Sequence, residues 1–347
     1  KIQPRLLIVS KMLFNKSQNG IAELKSILGF IYASNSFDNL KTDLMLAEDD
    51  MRLLLGNSLY EAVKAHYLSE DYTVEAQDDA DLLFLDKLVE FVRQPIAFYA
   101  FRAYSAHADI AHSDKGRQIF VNENEKPAFQ WQVERDDQAM LIKAHRLTDR
   151  LLDFMETHKA ETFLEDNWTS QPAYQATKQL FINSAREFHQ VYPIDQSRWF
   201  FLTIVPFVKE VENTIILAVF GTQKFQSLKD AILEGNLSDD DARLIQYLKI
   251  PLALYTMVTA LKRLGITVLP DSIVENFNPG YLTVKATKPA SKDARAQLIA
   301  SLESEASKAL ISLQEQIAAL KAVAEGVPFV AQSLTDRNKI ENKHFRA

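Results

Sequence analysis

The sequence contains no cysteine, and this absence excludes disulfide bonds, thiolate metal ligands and cysteine nucleophiles together. Glycine is scarce as well, at nine residues in 347. The patterns GxGxxG, GxxxxGKS/T, GxSxG and HExxH, which build nucleotide sites, serine nucleophiles and zinc sites, do not occur. The sequence thus offers no familiar catalytic motif. We predict that the protein is not an enzyme and uses no cofactor.

Long apolar runs are also missing, because no stretch approaches the roughly 20 apolar residues that span a bilayer. We therefore expect no membrane partner. The net charge is −7, whereas phosphate binding needs clustered Lys and Arg, so a general nucleic-acid binder is disfavoured. With 47% hydrophobic and 24% charged residues, the composition is that of a soluble globular protein long enough for two domains.

A twelve-residue segment occurs twice in similar form, as LVEFVRQPIAFY at 88–99 and as LIQYLKIPLALY at 244–255. A proline lies at the same place in both copies, Pro95 in the first and Pro251 in the second. Proline inside a helix removes a hydrogen bond and clashes with the preceding turn. The pattern predicts two helices that are kinked or broken at these prolines.

The similarity continues outward from this segment. Gly56 and Gly221 each follow an amphipathic stripe, and we predict that both end a helix with a positive φ. The first stripe consists of Phe37, Leu40, Leu44, Ala47, Met51 and Leu54, and the second of Phe201, Ile204, Val208, Val211, Ile215 and Ala218. The chain is therefore interpreted as mainly α, with two tandem duplicated helical domains at 1–165 and 166–347.

Other features are assigned within these two copies. Acidic runs beginning at Asp78 and Ser238 are interpreted as N-caps of the proline helices. Residues 116–133 alternate well enough for a short β-hairpin with its turn at 122–126, and 278–289 is its expected partner in the second copy. Apolar residues at helical spacing predict a long helix from Lys292 to Ala324.

The best candidate metal ligands are His107, Asp109 and His112. The two histidines fall on different faces of a helix, so we favour ordinary surface positions over a metal site. The tail after Pro328 is polar and basic, and we predict that it binds a partner. The residues concerned are Phe329, Arg337, Lys339, Ile340, Lys343, Phe345 and Arg346.

The segments LFINSAREFHQVYPIDQSRWFFLTIVPFVKEVE (180–212), NTIILAVFGTQKFQSLKDAI (213–232) and LSDDDARLIQYLKIPLALYTMVTAL (237–261) carry a resemblance. They resemble a family of uncharacterised proteins from Bacteroidetes phages and integrated elements, over about residues 35–280. Each copy also resembles the small helical head–tail connector proteins of tailed phages. The proline, the duplication and a nine-residue insertion in the first copy depart from the connector pattern.

The connector resemblance implies a structural virion protein at the head–tail junction, made in the host cytoplasm. It implies a homo-oligomeric ring, twelve-fold by family analogy, that contacts the portal protein and other neck or tail proteins. Double-stranded DNA would pass through the ring without sequence-specific binding. The alternatives are another phage neck or tail-completion scaffold and a cryptic metal-dependent hydrolase.

Overall fold

The computed structural model describes residues 12–29, 36–75, 78–108, 111–113, 116–118, 128–264, 266–268, 273–275 and 292–324. These residues are mainly helical, as predicted. They form two compact units. Unit 1 contains the described residues up to 175 together with 197–199, and unit 2 contains the remainder. The change from one unit to the other thus lies beyond the expected boundary at 165.

Unit 1 is built from successive helices and one short pair of strands. The elements are α1 (Gly20–Leu28), α2 (Phe37–Leu55), α3 (Asn57–Leu68), α4 (Ala80–Ala108), β1 (Ala111–Ser113), β2 (Gly116–Gln118) and α5 (Gln130–Thr157). The strands are antiparallel, with Ala111 opposite Gln118. After α5 follow α6 (Thr162–Leu164), a π-helical turn (Glu165–Thr169) and α7 (Pro172–Lys178), whose last residues belong to unit 2.

Unit 2 has the same order of elements as the first part of unit 1. It contains α8 (Ala185–Val191), α9 (Arg198–Val211), a π-helical turn (Glu212–Ile216), α10 (Leu217–Phe220), α11 (Thr222–Glu234), α12 (Asp239–Arg263), β3 (Ile266–Val268), β4 (Ile273–Glu275) and α13 (Lys292–Ala324). The first residues of α9 are counted with unit 1. The observed bounds of α13 are those that the sequence predicts.

Each unit has its own apolar core, centred on the helix that carries the repeated segment. In unit 1, α4 packs against α2 and against α5, which runs antiparallel to it. In unit 2, α12 packs against α13 in the same antiparallel manner. By length and composition α12 could span a membrane, but 61% of its most apolar window is buried within the protein. We therefore interpret α12 as a core helix.

The prolines lie inside continuous helices. Pro95 is a buried residue of α4 and Pro251 a buried residue of α12, so the predicted alternative of a broken helix is wrong. The N-caps before both helices are confirmed. Asp79 accepts hydrogen bonds from the backbone N–H groups of Asp81 and Leu82, and Ser238 accepts one from the N–H of Asp241. Both helix starts are thus fixed by side chains that the sequence identifies.

Gly56 and Gly221 connect consecutive helices in the two units. Gly56 has φ 84° and ψ 151°, and Gly221 has φ 72° and ψ 161°, so the predicted positive φ is observed at both. With ψ near 155° this is the region of backbone space that essentially only glycine occupies. Gly235, at the end of α11, instead has ordinary left-handed values of 68° and 22°. The backbone conformation of Gly56 and Gly221 thus requires glycine, whereas that of Gly235 is ordinary left-handed.

The hairpin predicted over 116–133 is not confirmed. Its proposed turn at 122–126 lies outside the described residues, and Gln130–Val133 form the first turn of α5. The described strands are 111–113 and 116–118 in unit 1 and 266–268 and 273–275 in unit 2, so only the first three residues of the predicted range lie in a described strand. The expected partner at 278–289 lies outside the described residues.

A π-helical turn distinguishes the second unit from the first. Glu48 precedes Gly56 by eight positions, whereas Glu212 precedes Gly221 by nine, and the π-helical turn begins at Glu212. A π turn accommodates one extra residue inside a helix. The buried residue at the end of this turn is Ile216, at 0% exposure, whereas Ile215 is only partly buried, so the predicted stripe that continued through Ile215 is wrong by one position.

Substitution of Gly221 by alanine tests the backbone requirement without a steric clash, because a Cβ at this position would meet no atom within 4 Å. We expect Gly221→Ala to lower the free energy of unfolding by about 1–3 kcal/mol, from backbone strain alone. The measurement is urea unfolding followed by circular dichroism.

Gly235→Asn is the matched control, because Gly235 is equally open but has a conformation that asparagine tolerates. We expect the control to lose less than about 1 kcal/mol. Equal losses in the two variants would contradict the special role of the Gly221 backbone.

Candidate functional site

A buried carboxylate in α2 holds the segment that precedes α1. Glu48 is 6% exposed, although it is charged at neutral pH when free in water. It accepts a hydrogen bond from the backbone N–H of Leu13 at 2.7 Å and another from the Tyr60 hydroxyl at 2.8 Å. Lys64 lies with its Nζ 5.7 Å from the centre of the Tyr60 ring. We call Leu13, Glu48, Tyr60 and Lys64 the Glu48 cluster.

Unit 2 contains a second cluster of the same design. Glu212, at 2% exposure, accepts a hydrogen bond from the backbone N–H of Phe181 at 2.6 Å. Lys229 forms an ion pair with Glu212 and places its Nζ 4.0 Å from the Phe181 ring centre and 5.4 Å from that of Phe225. We call Phe181, Glu212, Phe225 and Lys229 the Glu212 cluster. In both units, then, a helix carboxylate binds the backbone of a buried segment that precedes the first helix.

The two clusters balance their buried charge differently. Burial raises the pKa of Glu48, against the opposing effect of the hydrogen bonds from Tyr60 and Leu13. Burial likewise raises the pKa of Glu212 and lowers that of Lys229, and the attraction between these two groups opposes both shifts. A neutral hydroxyl thus supports the carboxylate in unit 1, whereas an ammonium group does so in unit 2.

The repeated segment carries a further polar group in each copy. Arg93 of α4 is 4% exposed and uses all three of its nitrogen atoms. Nε donates to the Leu13 carbonyl at 2.8 Å, Nη1 donates to Glu90 at 2.6 Å and to Tyr72 at 2.9 Å, and Nη2 donates to Glu23. Arg93 thereby joins α1, α4 and the Leu13 segment.

Lys249 stands at the matching position of the second copy. Its ammonium donates to Glu187 of α8 at 3.0 Å. Tyr72, which bonds to Arg93, lies between α3 and α4 in the stretch where the first copy has extra residues. The insertion therefore supplies a partner that suits the several donors of an arginine. In both units a basic residue of the repeated helix holds an acidic residue of the first helix.

His66 and Asp86 form another buried polar pair in unit 1. Their Nε2 and Oδ1 atoms are 2.7 Å apart, and both side chains are largely buried. The pair joins α3 to α4, and the Tyr72 ring packs edge-on against His66 at 6.1 Å between ring centres. Its geometry links helices within the core, as the other clusters do.

The described residues do not form a metal site from the candidate ligands His107, Asp109 and His112. His107 is exposed near the end of α4, Asp109 lies outside the described residues, and only the backbone of His112 is described, in β1. Among the described residues, no group of three or more His, Asp or Glu side chains could hold a metal ion. The tail residues from Phe329 to Arg346 also lie outside the described part of the chain.

One apolar cavity of about 260 Å³ lies in unit 2 where α12 ends and α13 begins. Arg295 of α13 reaches it but donates from Nε to the Leu261 carbonyl at 3.0 Å, at the end of α12. The other lining residues are Phe200, Met257, Ala260, Leu261 and Leu264. The guanidinium is thus engaged with the helix end, and the rest of the cavity wall is apolar.

The sequence indicates these buried charged clusters by charged residues that recur at matching places of the two copies, a signal that the sequence analysis did not use. Arg93 and Lys249 occupy the same place in the two twelve-residue segments, inside an otherwise apolar helix. Glu48 directly follows Ala47, and Glu212 directly follows Val211, which is the matching apolar position of the second stripe. A charged residue that recurs at the same place in a repeated apolar pattern is a candidate for a buried ion pair, because isolated charges are seldom buried.

Comparison with known proteins finds one family. The model of a family of unknown function (DUF6712) matches residues 51–178 and 216–322. Together the two segments cover more than half of the chain, and each of them contains the repeated twelve-residue helix segment. No curated protein and no solved structure matches the chain.

The raised pKa of Glu48 makes a prediction about pH. Because this pKa is higher in the folded chain than in the unfolded one, the folded chain binds more protons between the two values. Raising the pH through this interval should therefore lower the free energy of unfolding. Glu48→Gln, which cannot ionise, should reduce that slope.

The measurement is urea unfolding at a series of pH values above the ordinary glutamate pKa. Glu61→Gln serves as the control, because Glu61 is an exposed residue of the neighbouring helix α3. The same slope in wild type and Glu48→Gln would contradict a raised pKa at Glu48.

The ion pair in the Glu212 cluster makes a prediction about single and double variants. Glu212→Gln leaves the Lys229 ammonium buried without its carboxylate, and we expect a loss of about 3 kcal/mol in the free energy of unfolding. Adding Lys229→Met removes the stranded charge and should recover part of the loss. A double variant less stable than Glu212→Gln in urea unfolding would contradict this account.

Proposed function

We propose a function from the premise that the chain belongs to DUF6712, the family of unknown function whose model matches both of its halves. The protein acts as a structural component of a tailed-phage virion. It is a head–tail connector, or adaptor, that assembles into a ring below the portal and lets double-stranded DNA pass. This assignment develops the resemblance of each copy to small helical connector proteins.

The observation that carries the proposal is the recurrence of one set of internal contacts in two successive units. Each unit uses a buried glutamate to bind the backbone of a preceding segment, and a basic residue of the repeated helix to bind the first helix. Charged groups that are paired within the core, or partly buried as Lys249 and Glu187 are, fix elements against one another. A chain that builds the same rigid module twice suits a scaffold, whose task is to present surfaces to neighbours.

The same recurrence supports an origin by tandem duplication. The order of helices and strands in unit 2 is that of the first part of unit 1, and the glycine joints have nearly the same φ and ψ. Partner identities differ, as with Tyr60 in one cluster and Lys229 in the other. We infer that the halves arose as copies of one module and then diverged while the contacts that hold the module together were retained.

The charge of the chain fits passage of DNA better than its capture. The net charge is −7, and the exposed residues Asp239 and Asp240 begin the core helix of unit 2. Like charges repel phosphate, and the repulsion acts over about 10 Å at moderate salt. In the proposed ring, an acidic channel would therefore allow the duplex to slide.

The proposal predicts the mass of the native assembly. We expect the full-length protein to form a closed oligomer, alone or when mixed with the portal protein of the same particle. Native mass spectrometry and negative-stain electron microscopy are the measurements. A chain that stays monomeric both alone and with the portal would overturn the connector assignment.

Deletion of residues 329–347 provides the matched variant for that measurement. These residues lie beyond α13, so we expect the shortened chain to keep the circular dichroism spectrum of the full one. We expect it to assemble or to bind the portal less well, because the basic and apolar side chains of the tail are removed. Unimpaired assembly and portal binding by the shortened chain would contradict a role for the tail.

A further inference from the structure

The outer face of α2 in unit 1 exposes leucines that have no counterpart in unit 2. Leu46 is 60% exposed and Leu53 is 84% exposed. They are seven positions apart, so they lie on the same side of the helix. We call these two leucines with Asp49 and Asp50 the α2 face. The two acidic residues are exposed and flank the leucines on either side, and Asp49 also forms an ion pair with Arg52 of the same helix at 2.6 Å.

Comparison of the two units shows that the module itself does not require these leucines. The residue that matches Leu46 is Glu210, whose carboxylate accepts two hydrogen bonds from Arg263, at 2.6 and 2.9 Å. The residue that matches Leu53 beyond the π-helical turn is Ala218. Unit 2 thus fills the same places with an ion pair and a small side chain. The apolar surface of the α2 face is specific to unit 1.

The charge of the α2 face restricts what can cover it. Two copies of the face would bring Asp49 and Asp50 of one chain close to the same residues of another, which is unfavourable. A suitable occupant combines apolar side chains with basic ones. The segment 329–347 of this chain has that composition. Its apolar residues include Phe329, Ile340 and Phe345, and its basic residues Arg337, Lys339, Lys343 and Arg346 outnumber its acidic residues Asp336 and Glu341.

We propose that the α2 face is the docking site for the C-terminal segment 329–347 of a second copy of this chain. The leucines receive the apolar side chains of the segment, and Asp50 attracts its basic side chains, with Asp49 beside it in the ion pair with Arg52. The inference rests on the proposed self-assembly and specifies the contact through which one chain holds the next. Since the segment and the face lie in different copies, the contact is of the head-to-tail kind, which forms a ring when the rotation from one copy to the next closes.

The absence of cysteine allows a direct test, because each introduced cysteine is unique in its chain. Full-length Leu46→Cys is mixed with full-length, ¹⁵N-labelled Ile340→Cys and treated with a short bis-maleimide. We expect cross-linked peptide pairs that join position 46 of the unlabelled chain to position 340 of the labelled one. Their yield is measured by mass spectrometry.

Leu233→Cys replaces Leu46→Cys in the matched control, since Leu233 is a leucine of similar exposure, 53%, on α11. The proposal expects at least a several-fold higher yield with position 46 than with position 233. It also expects a lower yield when Asp50→Lys is added to Leu46→Cys, because the attraction for the basic segment is reversed. Equal yields at positions 46 and 233, or a yield that Asp50→Lys leaves unchanged, would overturn the proposal.

The native mass of the same mixtures separates this inference from the proposed function. An oligomer without the 46–340 cross-link would overturn the docking site and leave the ring intact as a proposal. A monomer without the cross-link, alone and with the portal, would overturn both. A further variant carries Leu46→Cys and Ile340→Cys in the same chain. If this variant forms 46–340 links only within one chain, docking between copies is likewise overturned.

Discussion

The structure of each unit depends on a carboxylate that satisfies a backbone N–H inside the core. Leu13 and Phe181 are buried and lie outside any described helix or strand, so their N–H groups need a partner from elsewhere. Glu48 and Glu212 provide it at 2.7 and 2.6 Å. A buried unpaired N–H costs free energy comparable to a lost hydrogen bond, and so does a buried unpaired acceptor. The segment that precedes the first helix of each unit is consequently fixed to α2 in unit 1 and to the π-helical turn after α9 in unit 2.

The same requirement has been met with different chemistry in the two units. Tyr60 supports Glu48 with a neutral hydroxyl, so the carboxylate charge is stabilised by hydrogen bonds and by the more distant charge of Lys64. Lys229 supports Glu212 with an opposite charge and covers two aromatic rings as well. The arrangement in unit 1 buries one ionisable partner, the Glu48 carboxylate, beside a neutral hydroxyl, whereas that in unit 2 buries both a carboxylate and an ammonium group. The second makes each member of the pair dependent on the other, since removing one leaves a buried charge.

Much of the helical framework could be predicted from the sequence because its determinants are local. The N-cap at Ser238, the glycine joint at Gly221 and the bounds of α13 all follow from residues close to one another in the chain. The partners of the buried charges could not be predicted in this way. Glu48 binds the backbone 35 positions away, and Arg93 binds Glu23 from 70 positions away. Such pairs follow from packing, and periodicity records only that a position is buried.

The π-helical turn at Glu212–Ile216 has a consequence for how the sequences of relatives are compared. One added residue in a regular helix would rotate everything after it by about 100°, which would carry the following core positions away from the core. The wider turn absorbs that residue locally, so that Ile216 faces the core as Met51 does in unit 1. A sequence alignment that forbids gaps within helices would therefore pair Met51 with Ile215 instead of Ile216, and it would pair Gly56 with Phe220 instead of Gly221.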